Sequence, residues 1–236
     1  MTDLFPLCTL HDMPQRSEEW DKMRSGKLTA SQAGAWLASV SETKTVKKAC
    51  DTAINRLLAE QAGAYSPSIQ VDMEADPPKS ESLRAIWVGN KHEDEALMQL
   101  SLVQEVDLVS IGFMEHESGL VGSSPDSLIK GESCVVENKI TMNYATQVGR
   151  VREGVMPACF RDQVHFQMAS TGAQRCLFQS IWVPDPLRPS DTLLDPPPSL
   201  QLYIKRDDYT EAMKAGIDRF IKAFQVAADE WQTLNQ

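Results

Sequence analysis

The 236-residue sequence predicts an α/β fold in which a central mixed β-sheet is flanked by helices. Three observations carry that prediction. Helical periodicity dominates the first hundred residues. Short β-rich runs then cluster between Val103 and Lys205 around one helical segment, and a long amphipathic helix closes the chain.

Element by element, Val46, Cys50, Ala53, Ile54, Leu57 and Leu58 keep a helical period, which predicts a helix from Lys44 to Glu60. Ile86, Leu97 and Leu100 predict another, with Ser82 as its N-cap. Val103 to Phe113 is rich in β-formers, and Gly119 to Gly122 and Cys134 to Ile140 read as short strands. Asp162 to Thr171 reads as a helix stopped by Gly172, followed by strands at Cys176–Val183 and Leu200–Lys205. In the last helix Tyr209, Met213, Ile217, Phe220, Ile221, Phe224, Ala228, Trp231 and Leu234 form one apolar stripe. Two Pro-bearing stretches, Ala62 to Ser82 (with Pro67, Pro77 and Pro78) and Pro184 to Ser199, read as long loops. Neither reads as a domain boundary.

Composition narrows the function classes. Hydrophobic residues at 42% and charged residues at 24% are ordinary globular usage, which excludes a disordered, collagen-like or coiled-coil chain. A net charge of −10 excludes a basic nucleic-acid coat but leaves room for a local basic surface. No run is long and apolar enough for a membrane helix, and the start, Met1 to Pro6, lacks the layout of a secretory signal. Cys8, Cys50, Cys134, Cys159 and Cys176 are odd in number and widely spaced, which disfavours a disulfide framework, a zinc ribbon or a four-cysteine cluster. Reduced thiols in a cytoplasm are the expectation.

The chemistry concentrates in Gly122-Ser123-Ser124-Pro125-Asp126-Ser127 and Cys134-Val135-Val136-Glu137-Asn138-Lys139-Ile140. Side chains two apart on a strand share a face, so Glu137 and Lys139 project together. A turn at Gly131 brings Asp126 beside them. Asp126 and Glu137, helped by the main-chain carbonyl of Asn138, suit Mg²⁺, which takes oxygen ligands. Lys139 can position a water or stabilise charge on a phosphate. The bland alternative is a surface hairpin with an ordinary Glu–Lys pair. Glu93 adds a further carboxylate, expected to point inward from the helix face of Ile86, Leu97 and Leu100, where a buried carboxylate needs a partner or a metal. An inward salt bridge is its alternative reading; Asp94, Glu95 and His92 read as surface groups.

These residues resemble the lambda-type phage exonucleases, or YqaJ-like viral recombinases, of the PD-(D/E)xK nuclease superfamily. The motifs here are Trp20-Asp21-Lys22-Met23-Arg24-Ser25-Gly26-Lys27-Leu28-Thr29-Ala30-Ser31, Gly89 to Glu93, Ser124-Pro125-Asp126-Ser127, Glu137-Asn138-Lys139, and Gln163 to Gln167. Singly none is specific; jointly they are, in matching order from about Gln15 to Trp182. Ser127 stands where the family has glycine, Asn138 where an apolar residue is common, and Ile140-Thr141 where Cys-Pro often follows the lysine. The resemblance implies a restriction-endonuclease-like PD-(D/E)xK core in a single nuclease domain over residues 1–236. It implies metal ligation by Asp126 and Glu137, Glu93 as the helix carboxylate near the metal, Lys139 as catalytic lysine, and Gln163 supporting the water or phosphate.

Thr29 and Gln32 fit a capping box, so a helix is expected near Ala30 whose free N–H groups face an anion. Arg24 and Ser31 would add donors, and the resemblance implies that the family's 5′-phosphate site falls on them. The alternative is a simple cap, with Arg24 paired to Glu18 or Asp21. Lys44, Lys47 and Lys48 read mainly as a solvated face, and Trp20 and Trp36 as core.

The resulting expectation is a Mg²⁺-dependent 5′→3′ double-strand DNA exonuclease of phage-type recombination, with Mn²⁺ substituting. It would leave 3′ single-stranded tails for an annealing protein. The resemblance further implies a homotrimer ring, with no membrane association and a cytoplasmic, bacterial or prophage setting. Its rivals are another nuclease of the superfamily, such as a restriction enzyme or an iron–sulfur CRISPR-adaptation nuclease, and a degenerate DNA-binding module.

Overall fold

A computed structural model describes residues 2–41, 43–64, 69 and 71–234. Pro67, part of the first expected loop, lies outside them. Among the described residues the strands form two mixed sheets with helices around them. The α/β expectation holds, with the strands divided between two sheets.

The first sheet is assembled from β1 (Cys8–His11), β2 (Leu28–Thr29), β4 (Phe113–His116) and β5 (Val121–Ser123), in the order β1-β4-β5-β2. Only the β2–β5 pair is parallel, with Leu28 opposite Val121 and Thr29 opposite Gly122. The second sheet holds β3 (Leu108–Val109), β6 (Ser127–Ile129), β7 (Cys134–Thr141), β8 (Arg175–Trp182) and β9 (Leu200–Lys205), in the order β3-β6-β7-β8-β9. Here β7 and β8 run parallel over eight paired positions, from Cys134–Arg175 to Thr141–Trp182. The central strands β7 and β8 are buried at successive positions, Cys134 to Asn138 and Cys176 to Ser180, because both of their faces are covered.

The helices follow from their caps and apolar faces. α1 (Glu18–Arg24) starts where the Ser17 side chain accepts the Trp20 N–H. A short helix, α2 (Ala35–Ala38), precedes α3 (Lys44–Gln61), which is capped by Thr43. α4 (Glu81–Gln104) starts after Ser80 rather than Ser82. It also runs through Val103 and Gln104, where β-propensity suggested a strand. Ala96 and Leu100 are buried on this helix, and packing overrides propensity. Glu105, left-handed at φ 54, ends it. α5 (Tyr144–Glu153) was not anticipated, although its signals are present: Asn143 accepts the Thr146 N–H and Gly154 is left-handed at φ 64.

α6 (Arg161–Thr171) is stopped by Gly172 as expected and is buried from Val164 to Thr171. It packs against β5 and β7, so it serves both sheets. α7 (Asp208–Leu234) buries Met213, Ile217, Phe220 and Phe224, but its stripe runs out: Trp231 and Leu234 are exposed. Gly216 of α7 is needed for close packing, since a Cβ there would come within 1.8 Å of the Leu37 carbonyl oxygen on α2. The strand expected at Gly119–Gly122 begins later, at Val121, because Gly119 is a turn residue at φ 69. In the second loop Asp185 is buried and paired with Arg84 of α4 at 2.9 Å, which ties that loop to the helix.

Candidate active site

The β6–β7 hairpin closes around Gly131, left-handed at φ 78. Ser127 pairs with Val136, and the Asp126 N–H donates to the Val136 carbonyl at 3.0 Å, extending the ladder by one residue. There β6 ends. The Asp126 carboxylate takes over as acceptor and receives the Asn138 N–H on Oδ2 at 2.6 Å. The N–H and C=O of one strand residue point to the same neighbour, so the Asn138 carbonyl faces the same gap. Ser127 has an ordinary negative φ and donates its hydroxyl to the Val109 carbonyl at 2.9 Å, so no glycine is required after the aspartate.

Glu137 and Lys139 project from one face of β7, as the spacing predicts, and their side chains are ion-paired. Glu137 is 1% exposed. Its other partners come from α6, where two glutamines one turn apart face the strand. Gln163 Nε2 donates to Oε1 at 2.6 Å, and Gln167 Nε2 donates to Oε2 at 2.5 Å. Gln163 therefore acts on the carboxylate itself in this structure. A carboxylate offers about four lone-pair sites; three are taken, and the one left is on Oε2.

Glu93 is only partly buried, at the rim of α4, and ion-paired to Arg16, so the salt bridge forms at the edge of the core rather than inside it. The buried face of α4 runs through Arg84, Trp87, Val88, Ala96 and Leu100, while Ile86 and Leu97 are only half-buried. That rotation places Glu93 at the core's edge. Arg16, Glu93, Asp126 and Lys130 line a cleft of about 870 Å³. Gln15 fixes its wall by donating to the Ile111 carbonyl at 2.9 Å and the Pro125 carbonyl at 2.8 Å.

The electrostatics follow from this crowding. Burial, then the nearby Glu137 and Glu93 carboxylates, hold Asp126 well above the usual carboxylate range against the pull of Lys139. Burial alone would depress the Lys139 ammonium; Glu137 and Asp126 overcome it and hold the group above its ordinary value. Asp126 and Glu137 thus crowd one half-buried ammonium, with Glu93 acting on Asp126 from the cleft. This oxygen-rich, net-anionic donor set fits a hard divalent cation. Asp126, the open Oε2 site of Glu137, the Asn138 carbonyl and Glu93 are the groups available to one. Among the described residues no three His, Cys, Asp or Glu side chains already form a closed metal cluster.

The Arg24–Ser31 segment is built differently. The helix expected near Ala30 is a single 3₁₀ turn, Ala30–Gln32, with its Thr29–Gln32 capping box in place. It has no helical N-terminus for an anion. Arg24 and Ser31 still meet: Arg24 Nη2 donates to Ser31 Oγ at 3.5 Å, and the guanidinium stacks 4.0 Å from the Trp20 ring centre. Trp20 is core, as expected, and also a connector. Its Nε1 donates at 2.9 Å to both the Gly112 carbonyl and Ser124 Oγ, two residues before Asp126. Trp36 is half-buried, edge-on to Phe220 at 6.0 Å.

Sequence reasoning missed Gln15, Arg16 and Gln167. Gln167 carried a readable signal, being spaced i, i+4 from Gln163 on a helix next to an acidic strand. Gln15 and Arg16 act across the fold and carried none.

The chain resembles three solved structures in fold. One is an alkaline exonuclease (LHK-Exo) from Laribacter hongkongensis, with a TM-score of 0.66 and 21% identity over 93% of this chain and 98% of that one. The second is LHK-Exo in complex with dAMP, with a TM-score of 0.61 and 21% identity over 92% and 100%. The third is a phage-related exonuclease from Haemophilus somnus 129PT, with a TM-score of 0.56 and 13% identity over 86% and 96%. No curated protein matches the chain in sequence. The fold is thus the PD-(D/E)xK fold of the alkaline exonucleases. Residues 19–174, more than half of the chain, match the YqaJ-like viral recombinase domain, and the protein belongs to that family.

Proposed function

We propose that this protein is a Mg²⁺-dependent 5′→3′ exonuclease. It digests double-stranded DNA from 5′-phosphorylated ends and leaves 3′ single-stranded tails for recombination. The observation that carries the reading is the convergence of Asp126, Glu137 and Lys139 on adjoining strands, with Glu93 across the cleft. Family membership and the fold shared with proteins named exonucleases support it. So does the structural neighbour solved with dAMP, since a nucleoside monophosphate is what an exonuclease releases.

Asp126, Glu137, Glu93 and the Asn138 carbonyl would hold the cation, Mg²⁺ or in its place Mn²⁺. When bound, it lowers the pKa of a coordinated water and offsets charge on a phosphodiester oxygen. The chain's own residues do the rest. Gln163 and Gln167 lock the Glu137 carboxylate in one orientation. Lys139, kept protonated by its two acidic neighbours, orients a water and meets the charge that grows on the phosphate. Arg24 and Ser31 grip the terminal 5′-phosphate and set the direction of digestion. A trimer ring around the duplex and an annealing protein that receives the 3′ tail complete the reading.

Linear duplex labelled at either the 5′ or the 3′ end, beside a circular plasmid, tests this in Mg²⁺ and in EDTA. Immediate release of the 5′ label as mononucleotide, an intact circle and no digestion in EDTA are expected. Early release of the 3′ label, or cutting of the circle, overturns the reading. Light scattering checks the trimer.

A further inference from the structure

An arginine on α5 lies one strand across the sheet from Lys139. Arg150 donates from Nη1 to Ser180 Oγ at 2.9 Å, and Ser180 stands opposite Lys139 in the parallel β7–β8 register. Adjacent strands are about 4.8 Å apart, so the two cations hang over neighbouring positions of one sheet face. Ser180 is itself fixed. Its hydroxyl donates to Oε1 of the buried Gln147 at 2.8 Å, and Gln147 Nε2 donates back to the Ser180 carbonyl at 2.8 Å. The same ring, Phe160, has the Arg150 guanidinium 5.3 Å from its centre and the Lys139 ammonium 5.4 Å away.

Arg150 has been taken partly out of water without a counterion. Among the described residues it has no carboxylate partner, and Ser180 is its one hydrogen-bond acceptor. A guanidinium carries five N–H donors, so four remain for something else. Burial pushes its pKa down, yet an arginine stays charged. A half-buried cation held by a rigid polar network, beside Lys139 and with spare donors, is built to receive an anion.

Its place in the fold says which anion. The Arg24–Ser31 pocket reaches Asp126 through Trp20 and Ser124. From Asp126 the sheet runs to β7 with Lys139 and then to β8 with Ser180. Arg150 therefore lies on the β8 side of Glu137 and Lys139, across β7 from Asp126 and the Trp20–Ser124 link to Arg24. We propose that Arg150 binds the DNA phosphate immediately 3′ to the bond being cut, so that the strand is gripped on both sides of the reaction. This rests on the exonuclease reading above and adds a second anchor to it.

The probe is a 5′-phosphorylated duplex, wild-type or with one uncharged methylphosphonate at that 3′ linkage. Binding is measured by fluorescence anisotropy in EDTA, and single-turnover cleavage in Mg²⁺. A charge-assisted contact predicts that Arg150→Ala weakens binding about tenfold and flattens the salt dependence of log K by about 0.9. Arg150→Lys should recover most of the affinity. The methylphosphonate should weaken wild-type binding by a similar factor and Arg150→Ala binding no further. That arm uses the unaltered protein, so it stands even if Arg150→Ala folds poorly. Unchanged affinity and salt slope in Arg150→Ala, a methylphosphonate without effect on the wild type, or losses that simply add would overturn the assignment alone. A wild-type chain that neither binds nor digests the duplex overturns the exonuclease reading with it.

Discussion

The carboxylate cluster and the Arg24–Ser31 segment, linked through Trp20 and Ser124, are built by opposite means. Asp126, Glu137 and Lys139 come from one hairpin and are locked by two glutamines of a single buried helix. Their geometry is imposed by strand pleat and helix period. Arg24 and Ser31 sit instead on a short helix and a single 3₁₀ turn. They are joined to the rest by Trp20, which bonds to residues some hundred positions away. The first region is rigid and carries electrostatic strain; the second is a surface assembly held by one aromatic anchor. On the proposed reading, chemistry belongs to the first and choice of substrate end to the second, so the two should fail differently.

The largest effect should come from Asp126→Asn. Asparagine keeps an acceptor for the Asn138 N–H but removes a charge crowded by Glu137 and Glu93. Cleavage of every substrate should fall on the order of 10²–10³-fold or more. The melting temperature of the metal-free protein should rise, because a destabilised functional carboxylate has been neutralised. Calorimetry in EDTA together with a digest measures both. Retained turnover, or a lower melting temperature, would mean that Asp126 is a structural acceptor only.

Legibility follows the same divide. Leu200–Lys205 and the long closing helix appear where the sequence placed them, because period-2 and period-3.6 patterns are local. Asp126, Glu137 and Lys139 were readable for the same reason. Misplaced features depended on packing at a distance. α4 outruns the β-propensity of its last residues because Ala96 and Leu100 are buried. The capping box at Thr29 formed, yet only three residues of 3₁₀ helix follow it: a cap fixes where a turn starts and says nothing of how far it continues. The Arg16 partner of Glu93 lies 77 residues from it, beyond any local pattern.

A smaller effect, confined to the second region, should follow Arg24→Ala. If Arg24 and Ser31 grip a terminal phosphate, the wild type should digest 5′-phosphorylated duplex about tenfold faster than 5′-hydroxyl duplex. The variant should lose that preference while keeping its slower rate on hydroxyl ends. Asp126→Asn, by contrast, should slow both substrates equally. A single-turnover comparison of the enzymes on the two ends decides it. Equal wild-type rates on both ends would leave the segment a capped turn and the direction of digestion unassigned.

The smallest effect separates the two sheets by pH. His116, at the end of β4, receives the Ser118 N–H on Nδ1 at 3.2 Å, within the turn in which Gly119 N–H bonds back to the His116 carbonyl. Burial, helped by Lys214 and opposed by Glu117 and Asp218, holds the ring below its ordinary value of 6.5. The unfolded chain therefore binds more protons than the folded protein once the pH drops toward that value. The stabilisation is complete above pH 6.5 and is lost as the pH falls toward the folded value, because a proton on Nδ1 displaces the Ser118 N–H. His165 of α6 is also depressed, by burial first, and adds a loss of the same sign. Protection against hydrogen exchange, corrected for the intrinsic pH dependence of amide exchange, should thus fall at the β4–β5 turn between pH 7.5 and 5.5 before it does in β7. His116→Asn, which keeps an acceptor for the Ser118 N–H without a titrating ring, should remove the local part of that change and leave the His165 part. An exchange profile in which β7 loosens first, or one that His116→Asn leaves unaltered, would place the acid-sensitive joint in the carboxylate half instead.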